Sequence, residues 1–294
     1  MEAAACRHDA IEIRGLGKTF PQFRLGPLDL TVPLGAVYGL IGPNGAGKTT
    51  TINLIMGMGE KDAGAIRVFG MDHLDNEVAV KKRVGYVAPD LILTAWKTVR
   101  RLIAFVRPFY ADWDDAYCED LMRRLGIGWN DRIASLSYGN ATKLRLILAL
   151  AHRPDLLLLD EPMAGLDAVS KQEVFQEIFD AVQDENRSVL ISSHDLHDLE
   201  RITDHIGFLN RGKMLFEGPT ADIVNRYRLI DATSSETLPQ LPGGRVISRE
   251  NGRTRILLDL AQSSVDSLPG HGIQVVSATP VTLEELFVML VREA

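Results

Sequence analysis

Lys48 and Thr49 close the stretch Gly42-Pro43-Asn44-Gly45-Ala46-Gly47-Lys48-Thr49, which satisfies G-x-x-x-x-G-K-[ST] at every fixed position. Glycines at this spacing let backbone N–H groups converge on phosphate oxygens, and Asn44, Gly45 and Gly47 belong to that turn. A helix starting at its end, through Lys48, Thr49 and Thr50, would add free N-terminal donors and the positive end of its dipole. The Lys48 ammonium can then reach β- and γ-phosphates, and the Thr49 hydroxyl can face Mg²⁺. The alternative is a tight glycine turn that binds nothing.

The flanking residues favour the first reading. Ala36 to Ile41 is an apolar run leading into the turn, and Thr50 to Met56 continues it as a helix. Strand, glycine turn and helix in that order are the setting the motif needs. Leu156 to Leu159 are four leucines without alternation, the pattern of a strand buried on both faces in a parallel sheet. Asp160 and Glu161 end that strand. Asp160 is placed as a Mg²⁺ partner, and Glu161 as general base or water-positioning carboxylate. His194 follows a further strand, Ser188 to Ser192, and ligands of open parallel sheets bind at the carboxyl ends of strands. It can donate to a γ-phosphate. The remaining histidines, His152 and His197 among them, read as caps or packed polar residues.

The other elements supply the frame. Ile11–Phe20 and Phe23–Val32 read as two strands, Gly64–Gly70 as a third, residues 76–83 as a helix and Val84–Val87 as the next strand. Between 90 and 153 the spacing of Leu102, Phe105, Val106 and Phe109, then Leu121, Met122 and Leu125, is helical. Phe105, Phe109, Tyr110 and Trp113 either fill the core of this helical part or mark a docking surface. Ser137 caps a helix running to Ala151, and residues 168–183 form an amphipathic helix. Leu196–Arg201 reads as a helix, and Asn210-Arg211-Gly212 as a hairpin turn. Beyond about residue 220 the chain changes character. A short helix over 221–227, a loop over 233–244, a hairpin around Asn251-Gly252, a strand over 273–277 and a helix over 282–291 make a small α+β appendage. The expected division is 1–220 and 221–294.

Composition narrows the function. With 294 residues, 46% hydrophobic and 24% charged, the chain is an ordinary folded protein of about two domains. A formal charge of −7 argues against a general phosphate-backbone binder, so no nucleic-acid partner is expected. Cys6 and Cys118 form no disulfide or metal pattern. No apolar run is long enough to span a bilayer.

Taken together these stretches resemble the ATP-binding subunits of ABC transporters. Gly42–Thr49 is similar to the Walker A motif, and Leu156–Glu161 to Walker B with its catalytic glutamate. Ala164-Gly165-Leu166-Asp167 resembles the D-loop, His194 the switch histidine, and Leu136-Ser137-Tyr138-Gly139-Asn140 the signature. Phe20 stands where the family stacks an aromatic ring on adenine. The resemblance implies an α/β P-loop fold with an antiparallel β subdomain, a helical subdomain and a C-terminal extension. It also implies Mg²⁺-dependent ATP hydrolysis in a head-to-tail homodimer or heterodimer, powering an integral membrane permease from the cytoplasmic side. Each ATP would meet Lys48, Thr49, Asp160, Glu161 and His194 of one subunit and Ser137 and Gly139 of the other, with Asp167 at the seam. The tail, including Pro280–Phe287, resembles that of ABC-2-type exporter ATPases, so export is the expected direction.

Two departures stand out. Tyr138 and Asn140 replace the usual glycine and glutamine of the signature, while Ser137 and Gly139 are kept. Pro89 stands where the family has a glutamine that ligates Mg²⁺, and proline can neither ligate nor donate there. Asp90, next to it, is the candidate substitute. A non-transport ATPase acting on nucleic acid or ribosomes, and a slow regulatory nucleotide-binding protein, are the alternative functions.

Overall fold

A computed structural model describes residues 9–185, 187–196, 199–200, 202–234, 241–250 and 252–291. The chain divides into two compact units, Met1–Glu217 and Gly218–Ala294. Cys6 and His197 lie outside the described residues, as does much of the helix expected over 196–201.

In the first unit β1 (Ile11–Phe20) and β2 (Phe23–Val32) form an antiparallel hairpin with Phe20 opposite Phe23. Ile11, Ile13 and, past a register shift in the pairing, Leu16 face the core, as a one-sided antiparallel sheet requires. The catalytic-type residues sit on a different sheet. It contains β3 (Val37–Ile41), β6 (Val84–Val87), β7 (Leu156–Asp160), β8 (Ser188–Ser193), β9 (His205–Asn210) and β10 (Lys213–Pro219). Its strand order is β10-β9-β3-β8-β7-β6, with β9, β3, β8, β7 and β6 parallel to one another. β3, β7 and β8 are buried along their whole length, which the four consecutive leucines of β7 predict for that strand. The register aligns Ile41 with Ser193, and Asp160 with Ser192. Three carboxyl ends therefore meet at one edge. β4 (Ala63–Val68) and β5 (Met71–Asp72) complete the hairpin sheet in the order β2-β1-β4-β5.

Helix α1 (Lys48–Ile55) leaves β3 through the glycine turn, and α2 (Glu77–Lys82) precedes β6. The helical part holds α3 (Val99–Val106), α4 (Asp115–Arg124) and α5 (Tyr138–Leu150). Asp114 caps α4 by accepting the Tyr117 N–H at 2.9 Å, and Ser137 caps α5 by accepting the Asn140 N–H at 3.1 Å. Its core is aliphatic: Leu102, Ile103, Leu121 and Met122 are buried with Cys118. Phe105 and Phe109 do not fill that core, being 46% and 60% exposed, and Phe105 instead stacks on Trp96 at 4.0 Å. Tyr110 stacks on the buried His152 at 3.9 Å. α6 (Ala168–Glu185) follows the Ala164–Asp167 loop.

The second unit begins with α7 (Thr220–Arg226) and holds β11 (Tyr227–Ser234), β12 (Gly244–Glu250), β13 (Arg253–Asp259), β14 (Ile273–Pro280) and α8 (Leu283–Val291). The sheet order is β12-β13-β11-β14, and Ile230, Ala232, Ile256, Leu258, Leu268 and Ile273 pack together on it. β12 and β13 are the expected hairpin. β11, central in the sheet, is not legible beforehand because Leu229-Ile230 is a short apolar run between Arg228 and Asp231. The fold class expected from the resemblance is the one observed: a P-loop α/β unit with antiparallel and helical parts and an α+β extension.

Candidate active site

The phosphate loop is shaped by what surrounds it. A Cβ on Gly42 would lie 2.1 Å from the Leu209 carbonyl oxygen, so only glycine fits there. Gly47 has φ 111°, and a Cβ on it would meet Leu25 Cδ1 and Phe23 Cζ at 2.9 Å. α1 begins directly after Gly47 with no side-chain cap and no acidic residue in its first turn. Its leading N–H groups are left for an anion. They face a cavity of about 470 Å³ lined by Gln22, Phe23, residues 44–50 and Glu161.

Lys48 is 5% exposed. Its ammonium donates to the Gly42 carbonyl at 2.7 Å and the Pro43 carbonyl at 3.2 Å, and lies 3.0 Å from Glu161 Oε1. The other Glu161 oxygen, Oε2, accepts from His194 Nδ1–H at 2.8 Å. Glu161 thus sits between the loop lysine and the histidine. Its backbone is left-handed, φ 46°, which costs a non-glycine residue roughly 1 kcal/mol and is held here by the fold. The Glu161 N–H donates to Ser192 Oγ at 3.0 Å, and Ser192 Oγ–H donates to Asp160 Oδ1 at 2.6 Å. Burial pushes the Asp160 carboxyl above the usual carboxylate range, and the neighbouring Glu161 charge adds to this. The Ser192 hydrogen bond, the nearby Thr49 hydroxyl and the Lys48 charge oppose it.

Sequence reasoning left Ser192 out of the site. It is one of three serines in the strand Ser188–Ser193, so nothing local singles it out. Phe23 and Gln22 were also missed as cavity walls. Phe20 is 41% exposed beside Phe23, with ring centroids 6.2 Å apart, and is not among the residues lining the phosphate cavity.

Asp90, Ser137, Gly139 and Asp167 also lie off that cavity. Asp90 is exposed on the loop after β6. Ser137 is exposed at the start of α5, while Gly139 is buried against α6, where a Cβ would come within 3.1 Å of Ser170 Oγ. Asp167 accepts the Val169 and Ser170 N–H groups, both at 3.0 Å, and the Ser170 hydroxyl at 2.9 Å. These bonds, the Ser170 N–H first, hold its carboxyl below the usual range. The ring of Tyr138 lies over Gly165, so the signature-like turn and the D-loop-like turn touch within one chain.

The site suits a small hard cation. Asp160 Oδ2 is buried without a hydrogen-bond partner, and the nearby donor set is hydroxyl and carboxylate oxygen. Among the described residues no group of three or more His, Cys, Asp or Glu side chains could hold a metal.

The sequence profile of the ABC transporter family matches residues 25–164. The ABC transporter ATP-binding protein YtrB of Bacillus subtilis is 36% identical over 200 residues, 68% of each chain. The daunorubicin/doxorubicin resistance ATP-binding protein DrrA of Streptomyces peucetius is 34% identical over 266 residues, covering 84% of this chain and 79% of its own. Among solved structures, an ATP-binding subunit of an ABC transporter aligns with TM-score 0.67 and 25% identity over 74% of this chain and 92% of its own. A dimeric bacterial ABC transporter cassette shares the fold, with TM-score 0.63 and 19% identity over 71% and 98%.

Proposed function

The chain belongs to the ATP-binding subunits of ABC transporters, and we propose that it hydrolyses ATP at the β3–β7–β8 edge to drive export through a separate membrane permease. The observation that carries this reading is the convergence of Lys48, Asp160, Glu161 and His194 on one edge. ATP phosphates enter the cavity and draw Lys48 away from Glu161. The same event frees the Glu161 carboxylate to take a proton from the attacking water. His194 turns a ring N–H toward the γ-phosphate, and the α1 N–H groups hold the remaining charge. Thr49 and Asp160 would hold Mg²⁺, which supplies charge neutralisation on the phosphates. Asp90, exposed and outside the cavity lining, would be a further oxygen ligand.

A second copy completes the site. Ser137 and Gly139 lie at the N-terminus of α5 and away from their own cavity, so they serve the cavity of a head-to-tail partner, with Asp167 at the seam. Phe20 stacks on adenine. The permease docks on the exposed apolar residues Ile92, Phe105 and Phe109 of the helical part. No helix among the described residues is long and apolar enough to cross a membrane. A place at the cytoplasmic face through that partner is part of the same proposal. A relative named for drug resistance supports export.

Steady-state ATPase activity of the purified chain tests the reading, with Lys48→Ala as control and protein concentration varied. Activity that rises more than linearly with concentration and vanishes in the control is expected. ATP turnover equal to that of the control would overturn it.

A further inference from the structure

The last two residues of β8, Ser192 and Ser193, and His194 just after it each hold a different part of the site. The Ser193 carbonyl accepts the Gly42 N–H at 3.3 Å, at the start of the phosphate loop. His194 holds Glu161. Ser192, fully buried, stands directly beside Asp160 in the parallel register of β7 and β8. Its hydroxyl has one proton and gives it to Asp160 Oδ1; its oxygen receives the Glu161 N–H. With Oδ1 engaged, Asp160 is left with Oδ2, buried and unpartnered, as its remaining oxygen. The N–H that Ser192 accepts belongs to a residue in a left-handed backbone conformation, whose side-chain direction depends on that conformation being kept.

We propose that Ser192 is a positioning residue that sets Asp160 and Glu161 together, one hydroxyl fixing both the carboxylate that faces the metal and the carboxylate that faces the water. This rests on the ATP-hydrolysing reading above. Ser192 is fully buried and is not among the residues lining the phosphate cavity. It acts by fixing which oxygen of Asp160 is free and where the Glu161 side chain starts. Without its hydroxyl, Asp160 Oδ1 loses its donor in a buried site and the Glu161 N–H loses its acceptor. The carboxylate is then free to turn, and the two residues no longer share a common anchor.

The test compares the native chain with Ser192→Ala, Ser192→Thr and Ser192→Val. Thermal melting shows that each variant is folded. Two readouts are taken: ATP turnover, and the Mg²⁺ concentration needed to stimulate binding of a non-hydrolysable ATP analogue. Ser192→Ala is expected to lower kcat by about ten- to a hundredfold, the loss of a hydrogen bond to a charged group. The KM for ATP stays within about threefold, because the loop and α1 are untouched. The Mg²⁺ requirement rises severalfold. Ser192→Thr, which keeps the hydroxyl, returns both readouts toward native values, while Ser192→Val, of the same shape without it, does not. Native kcat and native Mg²⁺ requirement in folded Ser192→Ala would overturn the inference alone, as would equal behaviour of the Thr and Val variants. A native chain that neither hydrolyses ATP nor binds the analogue would overturn the functional reading and this inference together.

Discussion

Lys48 Nζ and Glu161 Oε1 lie 3.0 Å apart, so the cation that should grip phosphate is paired with the carboxylate that should activate water. The pair is largely buried, with side chains 5% and 14% exposed. On the proposed reading, phosphate and Glu161 compete for one ammonium, and binding of the first releases the second.

This competition predicts the behaviour of Glu161→Gln. The neutral amide holds Lys48 less strongly, so ATP should bind about three- to tenfold more tightly, a shift of roughly 1 kcal/mol in a partly buried pair. Loss of the base should slow hydrolysis by about a hundredfold or more. Equilibrium binding of labelled ATP and single-turnover hydrolysis check the two halves separately. Tighter binding with undiminished turnover would remove Glu161 from the base role while leaving the pairing intact.

The two phenylalanines separate by what they touch. Phe23 lines the cavity and packs where a Gly47 side chain would be, whereas Phe20 stands half-exposed beside it. Phe20→Ala should weaken ATP binding by about three- to tenfold, the worth of one aromatic stack, with little change in melting temperature. Phe23→Ala should lower both, because it also loosens the loop. Binding titrations and thermal melts on the two variants distinguish them. Equal binding losses with equal loss of stability would contradict the assignment of adenine to Phe20.

His152 gives a pH dependence of stability. It is buried under the Tyr110 ring, with Nδ1 3.3 Å from the Leu148 carbonyl and Nε2 3.2 Å from the Val84 carbonyl. Burial lowers its pKa, and the two carbonyls oppose this without reversing it. The unfolded chain therefore takes up a proton near about pH 6.5 while the folded chain does not. Protons are bound more by the unfolded state, so stability should fall as pH drops below that value and be unaffected by this group above it. His73 is buried with a pKa shifted the same way, so His152→Gln should flatten the slope between about pH 7.5 and 5.5 without abolishing it. Melting temperatures across that range measure the slope. An unchanged slope in the variant would contradict the buried neutral state.

How much of this was legible in the sequence depended on whether local pattern or sheet register set the position. The glycine turn, Asp160-Glu161 and His194 were readable because each is tied to a strand end that a run of three or more apolar residues announces. The cap at Ser137 was readable from its own side chain. Ser192 was not, since its meaning comes from alignment with Asp160 across a parallel pair with no local signature. Phe105 and Phe109 have helical spacing, which says that they share a face and not whether that face is covered. Strand β11 is hidden for a similar reason: Asp231 and Arg255 are partners across its pairing with β13, and charged pairs at such positions mask a strand in single-sequence patterns.

The most direct test of composite sites is a mixing experiment between two inactive variants, Lys48→Ala and Ser137→Ala. Each alone damages both sites of a head-to-tail dimer. In a mixed dimer one site carries both lesions and the other carries neither. ATPase activity should therefore reappear on mixing, approaching about a quarter of native turnover if subunits pair at random and sites act independently. No recovery on mixing, with mixed dimers demonstrated by differential tagging, would contradict a site shared between two copies of this chain.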